Sequence, residues 1–581
     1  MRAVVMCRRS GPAALAENDA ALLERLLTPD NLEPRARHVR REHGAVCALF
    51  NPPSTVQSKG ASVCLGGIDG GAADAFRPGA PLPHGAHALI RVDERRVELL
   101  ADAVASRTIW YLLTRGLFIA STSQRAIAVL AGVFEPSREA VAWMLCTGTL
   151  GTAHGWDARV GRVPPGGRVT LNRTHWRLAV KEAPIKIAAE REAERLCLRR
   201  VEDAIDEALA RFRFDPEKWI LPLSGGVDSR GLLLLLKDRA RLQCVTWGVE
   251  SALADPLADP AVAARLAARV GAPHRFFPIA VSDEPRERLI ESFLVAGEGR
   301  TDQISGYLDG FSIWRTLAAQ RYDGVIRGDE AFGWVRVGSE SEVRRATGFP
   351  LPSEALDPDL LAAFDLPVPG TAAALERREG ESLETWRDRA YQGYRLPTLL
   401  AALTDLKCAY VEVLNPLLFN RIVECVRSLP DRYRTEKRLW RKIVTQRSPA
   451  VPFARRAAVF PLSDFVRDEQ TLRLVGEEIE SEAAQTLLGP DLAAALRAGI
   501  EATRAAGGRA GRRRARALGR SKGARLLEKV LRRLGGRRPS VRFAPELIAF
   551  RAFLALRICA KLKSDAGALD ARDRSKAERR A

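Results

Sequence analysis

The chain has 581 residues, too many for a single core, so two or three domains are expected. Hydrophobic residues make up 46% and charged residues 28%, a globular composition that excludes a mostly disordered chain. Its 91 Lys and Arg against 71 Asp and Glu leave a net charge of +20, which by itself points to nucleic acid, an anionic membrane or an acidic substrate.

The apolar stretch before Arg8 is too short for a signal peptide, and no run is long enough to span a membrane. Nine Cys are scattered singly, with no CxxC pair. That spacing predicts buried, reduced thiols in a cytoplasmic protein. Residues 1 to about 180 alternate short apolar segments (AVVMC, GAVCALF, ASVCLGGI, ALIRVD, VELLAD, TIWYLLT, LFIAS) with Gly, Pro and Arg punctuation, which predicts a β-rich domain. A helix is expected over Arg138–Cys146, and VPPGGRVTL predicts a turn into a strand. From Ala188 helical periodicity runs for six or seven turns, so a boundary is placed near 185: a first domain over 1–185 and a second over 186–581.

The second half alternates strand and helix: WILPL, LQCVTWGV, HRFFPIAV and YDGVIRGDE each adjoin a helical stretch. Alternation of this kind predicts an α/β parallel sheet with helices on both faces and a helical part from about 395 onward. Ligands of such sheets bind at the carboxyl ends of the strands. There the sequence reads LPLSGGVDSR, Leu221 to Arg230. Two glycines let backbone amides approach an anion, Ser224 and Ser229 add hydroxyls, and the following helix end adds its positive dipole. No GK[ST] follows, so this is not a Walker loop. Asp228 within a phosphate cradle makes sense as a ligand to a charge-neutralising metal.

SGGVDS resembles the pyrophosphate loop of the adenine-nucleotide α-hydrolase superfamily, and within it the chain is similar to the asparagine synthetase family. Three further segments carry the resemblance in order: LQCVTWGV with Asp259 up to His274, IRGDEAFGW, and VEVLNPLLFNRIVECVRSLP followed by EKRLWRK. The resemblance implies ATP bound at Leu223, Ser224, Gly225, Gly226, Asp228 and Ser229. Thr246, Trp247 and Gly248 come from the strand that packs around adenosine, and Gly328 from the later loop. It implies Asp228 and Asp329 as magnesium ligands, Lys437 as a stabiliser of the tetrahedral intermediate, and Glu412 to orient or deprotonate the amine. Asp302 and Tyr307 fall where substrate-lining residues could lie. The implied reaction adenylates a carboxylate, which an amine then attacks.

The glutamine-dependent synthetases carry Cys directly after the initiator Met, where its free α-amine serves as base. Here the chain reads Met1-Arg2, and Cys7 is read as a core residue. The first domain still resembles the family's glutaminase (Ntn-type) sandwich through Asp102–Ile127 and VPPGG, but without its nucleophile. The family's EVRVPFLD is EVLNPLLF here, with Leu414 for Arg and Phe419 for Asp, which argues for a larger, less polar substrate than aspartate. Relatives without the nucleophile include β-lactam synthetases and lasso-peptide cyclases, and SGGVDSR with RGDEAFGW looks most like the cyclases. The resemblance therefore implies macrolactam closure of a precursor core peptide, with a leader-binding protein and a leader peptidase as partners. A small-molecule amide ligase of the β-lactam synthetase or ammonia-dependent asparagine synthetase kind is the alternative.

Residues 504–542 hold 15 Lys and Arg against one acid, Glu528, so +14 of the +20 is local. Leu526, Leu527, Val530, Leu531 and Leu534 share a helical face, which predicts a surface helix after an Arg-rich loop. No aromatic precedes Phe543 there, so single-stranded nucleic acid finds no stacking platform. Neither a nucleic-acid nor a membrane partner is expected. Most of the cations are Arg, only 13 being Lys, a pattern that a GC-rich genome also produces.

Overall fold

In the computed structural model, strand Arg2–Arg8 shows how one alternating sequence serves two cores. Val4 and Met6 share a core with helices Gln124–Ala131 and Arg138–Thr147. Val5 and Cys7 turn the other way, onto the side chains of a second sheet. Residues 34, 69–73, 154, 191, 368–373, 457, 459, 518–541 and 570–581 fall outside what the structure describes, and 507–517 are described by backbone alone.

The first sheet has six antiparallel strands, ordered Gly161–Arg162, Trp110–Leu113, Leu117–Ser121, Arg2–Arg8, Ala45–Phe50, Arg37–Glu42. The second is ordered Arg177–Lys181, Arg168–Asn172, Arg96–Ala101, Gly85–Val92, Ser62–Ile68, Ser58–Lys59. Register follows burial: Val5 stands opposite Cys47 and Ala120, all inside the intersheet core. A slip of one residue would turn that set outward. Ser123 and Ser137 cap the two helices by accepting from the amides of Ala126 and Ala140.

The third sheet is parallel, with β1 (Trp219–Pro222), β2 (Cys244–Gly248), β3 (His274–Pro278), β4 (Gly324–Ile326) and β5 (Glu412–Leu414) in the order β3-β2-β1-β4-β5. β1, β2 and β4 are apolar without alternation because both faces are covered, whereas the edge strand β3 carries His274 and Arg275 and is partly exposed. Ile220, Val245, Val325 and Val413 enter one core, and Trp219, Leu221, Cys244, Ile326 and Leu414 the other. Helices Val227–Leu235, Asp259–Val270 and Arg286–Gly297 follow β1, β2 and β3. The chain runs outward from β1 to β3 and then crosses back to β4. The carboxyl ends of β1 and β4 therefore flank a switch point, the usual place for a ligand crevice in open α/β sheets.

Three expectations are corrected. The long helix starts at Glu194, not near Ala188, because the amides of Ala188 and Glu190 donate to the carbonyls of Arg427 and Ser428 at 3.0 and 2.9 Å. The Arg-rich stretch from 504 continues helix Pro490–Ala517 rather than forming a loop; Leu526, Leu527, Val530, Leu531 and Leu534 lie outside the described residues. Leu414 and Phe419, expected beside the substrate, are buried packing residues, Leu414 against Gly67 and Phe419 edge-on to Phe212. The nine cysteines are unpaired, eight of them buried, and burial pushes the Cys7 thiol up to about 11. Among the described residues no helix is long and apolar enough to cross a membrane.

Candidate active site

β1 ends at Pro222, and the next residues turn into helix Val227–Leu235. The Leu223 amide still donates to Val245 of β2 at 2.8 Å, so the loop leaves the sheet at Ser224. Its curve is held by its own side chains. Ser229 Oγ accepts from the Ser224 amide at 3.0 Å, and Ser224 Oγ accepts from the Gly226 amide at 3.2 Å. The Gly225 amide donates to Asp259 Oδ1 at 3.1 Å, which anchors the loop to the helix after β2. Gly225 has to be glycine, since a Cβ there would overlap that of Ala454 and press on Val262. Gly226 precedes the helix and no side chain caps it, leaving the first-turn amides for a ligand.

A second loop, after β4, comes close enough that a Cβ on Gly328 would lie 3.0 Å from the Asp228 carbonyl carbon and the Ser229 nitrogen. The two loops enclose a cavity of about 340 Å³. Leu223, Ser224, Gly226, Asp228 and Ser229 line one side, Thr246 and Trp247 another, and Arg327, Gly328 and Asp329 the end. The size suits a small-molecule ligand. Thr246 is engaged, with Oγ1 donating to the Leu223 carbonyl at 2.6 Å and 2.9 Å from His274 Nε2. Burial lowers the His274 pKa, which favours the neutral ring. Trp247 presents an indole held edge-on by Trp314, 5.5 Å between centroids. Gly225 and Gly248 do not line the cavity; each lets an alanine, Ala454 or Ala458, pack against the backbone behind it.

The electrostatics centre on Asp228. Its Oδ2 accepts from Lys437 Nζ and its Oδ1 from Trp440 Nε1, both at 2.9 Å. Lys437 Nζ also lies 2.7 Å from Glu330 Oε1. Burial raises the Glu330 carboxyl pKa, and Lys437 opposes it. Burial would lower the Lys437 pKa, but Glu330 and Asp228 outweigh it and hold the ammonium above its ordinary value. Glu436 and Lys437 both have φ of 57°, the left-handed region. For non-glycine residues this costs about 1–3 kcal/mol each, and such strain collects at functional sites. The Glu436 amide donates to the Trp334 carbonyl at 2.8 Å, holding the turn.

Asp329 accepts from Arg327 Nη2 at 3.1 Å. Asp228 and Asp329 thus present two carboxylates to one cavity, a hard-oxygen donor set that fits a magnesium ion keeping waters and phosphate oxygens as its other ligands. No group of three or more His, Cys, Asp or Glu forms a metal cage among the described residues.

Glu412 is not brought to this cavity. It opens β5 opposite Gly324, whereas Gly328 and Asp329 follow the far end of β4. It is buried in an ion pair with Arg107, and its carboxylate also accepts from the Val413 amide at 3.0 Å. Burial would raise its pKa, but Arg107 and the nearby amino terminus hold it below the ordinary value. Tyr307 is buried and accepts from Lys407 Nζ at 3.0 Å, and Asp302 pairs with Arg551 at 2.8 Å. Asp259, named in the motif but given no role there, anchors the loop, and the residues that motif reading missed are Glu330, Trp440 and Arg327. Glu330 directly follows Asp329, and Trp440 lies three residues after Lys437, so adjacency and helical spacing were the available signals.

No protein-family model matches this chain, and no curated protein matches it. Solved structures give distant likenesses, among them these two. One is described as the allosteric regulatory enzyme of purine biosynthesis, at 8% identity and a TM-score of 0.21, over 38% of this chain and 60% of that one. The other is glutamine phosphoribosylpyrophosphate amidotransferase from B. subtilis complexed with ADP and GMP, at 9% identity and 0.20, over 49% and 70%. The first is matched over less than two thirds of its length. At TM-scores this low, neither likeness bears on the chemistry of the site.

Proposed function

We propose that the chain is an ATP-dependent amide ligase of the asparagine synthetase kind, most like a lasso-peptide cyclase. Its first domain keeps a glutaminase-like sandwich without the nucleophile. The observation that carries the reading is the strained Lys437 held between Asp228 of the Ser224–Ser229 loop and Glu330 of the facing loop. The ATP phosphates lie against the loop hydroxyls and the free amides of the first helical turn, with adenosine beside Thr246 and Trp247. A magnesium ion at Asp228 and Asp329 would neutralise pyrophosphate charge.

A side-chain carboxylate oxygen of the core peptide attacks the α-phosphorus, and the bond to the bridging oxygen breaks to release pyrophosphate. The peptide's α-amine then attacks the acyl carbon and loses a proton, and AMP leaves with the carboxylate oxygen. Lys437 stabilises the oxyanion that forms between these steps. We assign Glu412 no chemical role, because it is buried against Arg107 away from the cavity. A precursor core peptide as substrate, with a leader-binding protein and a leader peptidase, completes the reading. Incubation with ATP, magnesium and the core peptide tests it: AMP, pyrophosphate and a cyclised product are expected. ADP with phosphate, or no peptide-dependent turnover, would overturn it.

A further inference from the structure

Residues Tyr391–Leu400 form a π-helix with Pro397 inside it. Turns of this width are rare and recur at functional sites. Tyr394 and Arg395 from this one line a cavity of about 150 Å³, separate from the nucleotide cavity, whose other walls include Thr147, Thr149, Asp302 and Gly348. Thr149 Oγ1 lies 2.9 Å from the Tyr394 hydroxyl.

Arg395 is half-buried and makes no hydrogen bond or ion pair with a described residue; its close partner is the Trp334 ring, 5.5 Å from Cζ. The acid in the same cavity is already balanced, since Asp302 pairs with Arg551 at 2.8 Å and accepts from Gln303 at 2.6 Å. Among the described residues the cavity therefore carries one uncompensated positive charge, and a partly desolvated charge calls for a partner. A guanidinium presents a planar fork that matches a carboxylate in two parallel hydrogen bonds. The volume equals that of about five water molecules, room for a carboxyl group and a short stem. A phosphate dianion would place its second charge against Asp302.

The Trp334 ring also links this cavity to the chemistry. Lys437 Nζ lies 5.4 Å from the indole that Arg395 covers, and Tyr391 stacks on it with centroids 4.7 Å apart. We infer that this cavity binds a second carboxylate of the acyl substrate, held by Arg395, while the first is activated beside Lys437. The substrate class is then a diacid, or a peptide with a free acid besides the one that reacts. This assignment of substrate rests on the ligase reading, but anion binding at Arg395 needs no ATP.

Ligand-observed NMR titrations of the full chain without ATP, using glutarate, glutaramide and inorganic phosphate, test it. Glutarate should bind the wild type, and about tenfold more weakly to Arg395→Gln. Arg395→Lys should recover part of that affinity, and glutaramide should not bind. Arg395→Gln should lower the melting temperature only slightly, because among the described residues its guanidinium has the Trp334 ring face and no hydrogen bond to lose. Absent glutarate binding, equal affinity in Arg395→Gln, or displacement of glutarate by equimolar phosphate would overturn the inference. Intact glutarate binding with no ligation would overturn the ligase reading instead.

Discussion

Lys437 and Asp228 lie 209 residues apart in sequence, yet Lys437 Nζ stands 2.9 Å from Asp228 Oδ2. The left-handed backbone at Glu436 and Lys437 makes this reach possible. It converts a helix start into a cation aimed back at the loop, where Glu330 holds its other side at 2.7 Å.

Lys437→Met should therefore lower kcat by about 100- to 1000-fold, the loss typical of removing one oxyanion donor. The KM for ATP should change far less, because the loop amides remain. Steady-state kinetics with the core peptide separate the two; a pure KM effect would place Lys437 in binding alone.

Gly225→Ala forces a methyl group into the Cβ of Ala454. Overpacking at such a contact costs about 1–3 kcal/mol and should displace the loop, weakening nucleotide binding in fluorescence titrations. Ala454→Gly in the same chain should restore part of both stability and affinity.

Arg107→Met should destabilise the fold by about 3–5 kcal/mol, since it leaves Glu412 buried without its partner. Adding Glu412→Leu should recover much of that loss in urea unfolding. If Glu412→Leu alone abolished turnover while leaving stability intact, Glu412 would be chemical after all.

His87 is buried with neither ring nitrogen hydrogen-bonded to a described residue, and burial drives its pKa down to about 3. The unfolded chain therefore binds the extra proton between about pH 6.5 and 3, so stability falls as pH drops through that window. Between pH 7 and 5 this amounts to about 2 kcal/mol, and His87→Leu should flatten that part of the pH–stability curve.

The loop Ser224–Ser229 and Asp329, which line one cavity, could be picked out directly, because Gly-Gly and nearby carboxylates leave a dense local pattern that folding only brings together. The strands were legible for the same reason: continuous apolar runs such as WILPL mean burial on both faces. Glu412 was not, because a motif gives a residue's neighbours in sequence but not which end of a short strand it occupies. Arg395 was invisible as well. Its meaning comes from a π-helical turn and from having no acidic partner among the described residues, neither of which leaves a periodic signature. The start of the long helix slipped from Ala188 to Glu194 because tertiary hydrogen bonds to Arg427 and Ser428 compete with helical ones.

The most direct measurement tracks oxygen. A core peptide labelled with ¹⁸O in the reacting side-chain carboxylate is turned over with ATP, and the phosphorus products are analysed by mass spectrometry. Attack on the α-phosphorus predicts one ¹⁸O in AMP and none in pyrophosphate. Label in inorganic phosphate, or unlabelled AMP beside cyclised peptide, would contradict adenylation at the Ser224–Ser229 loop.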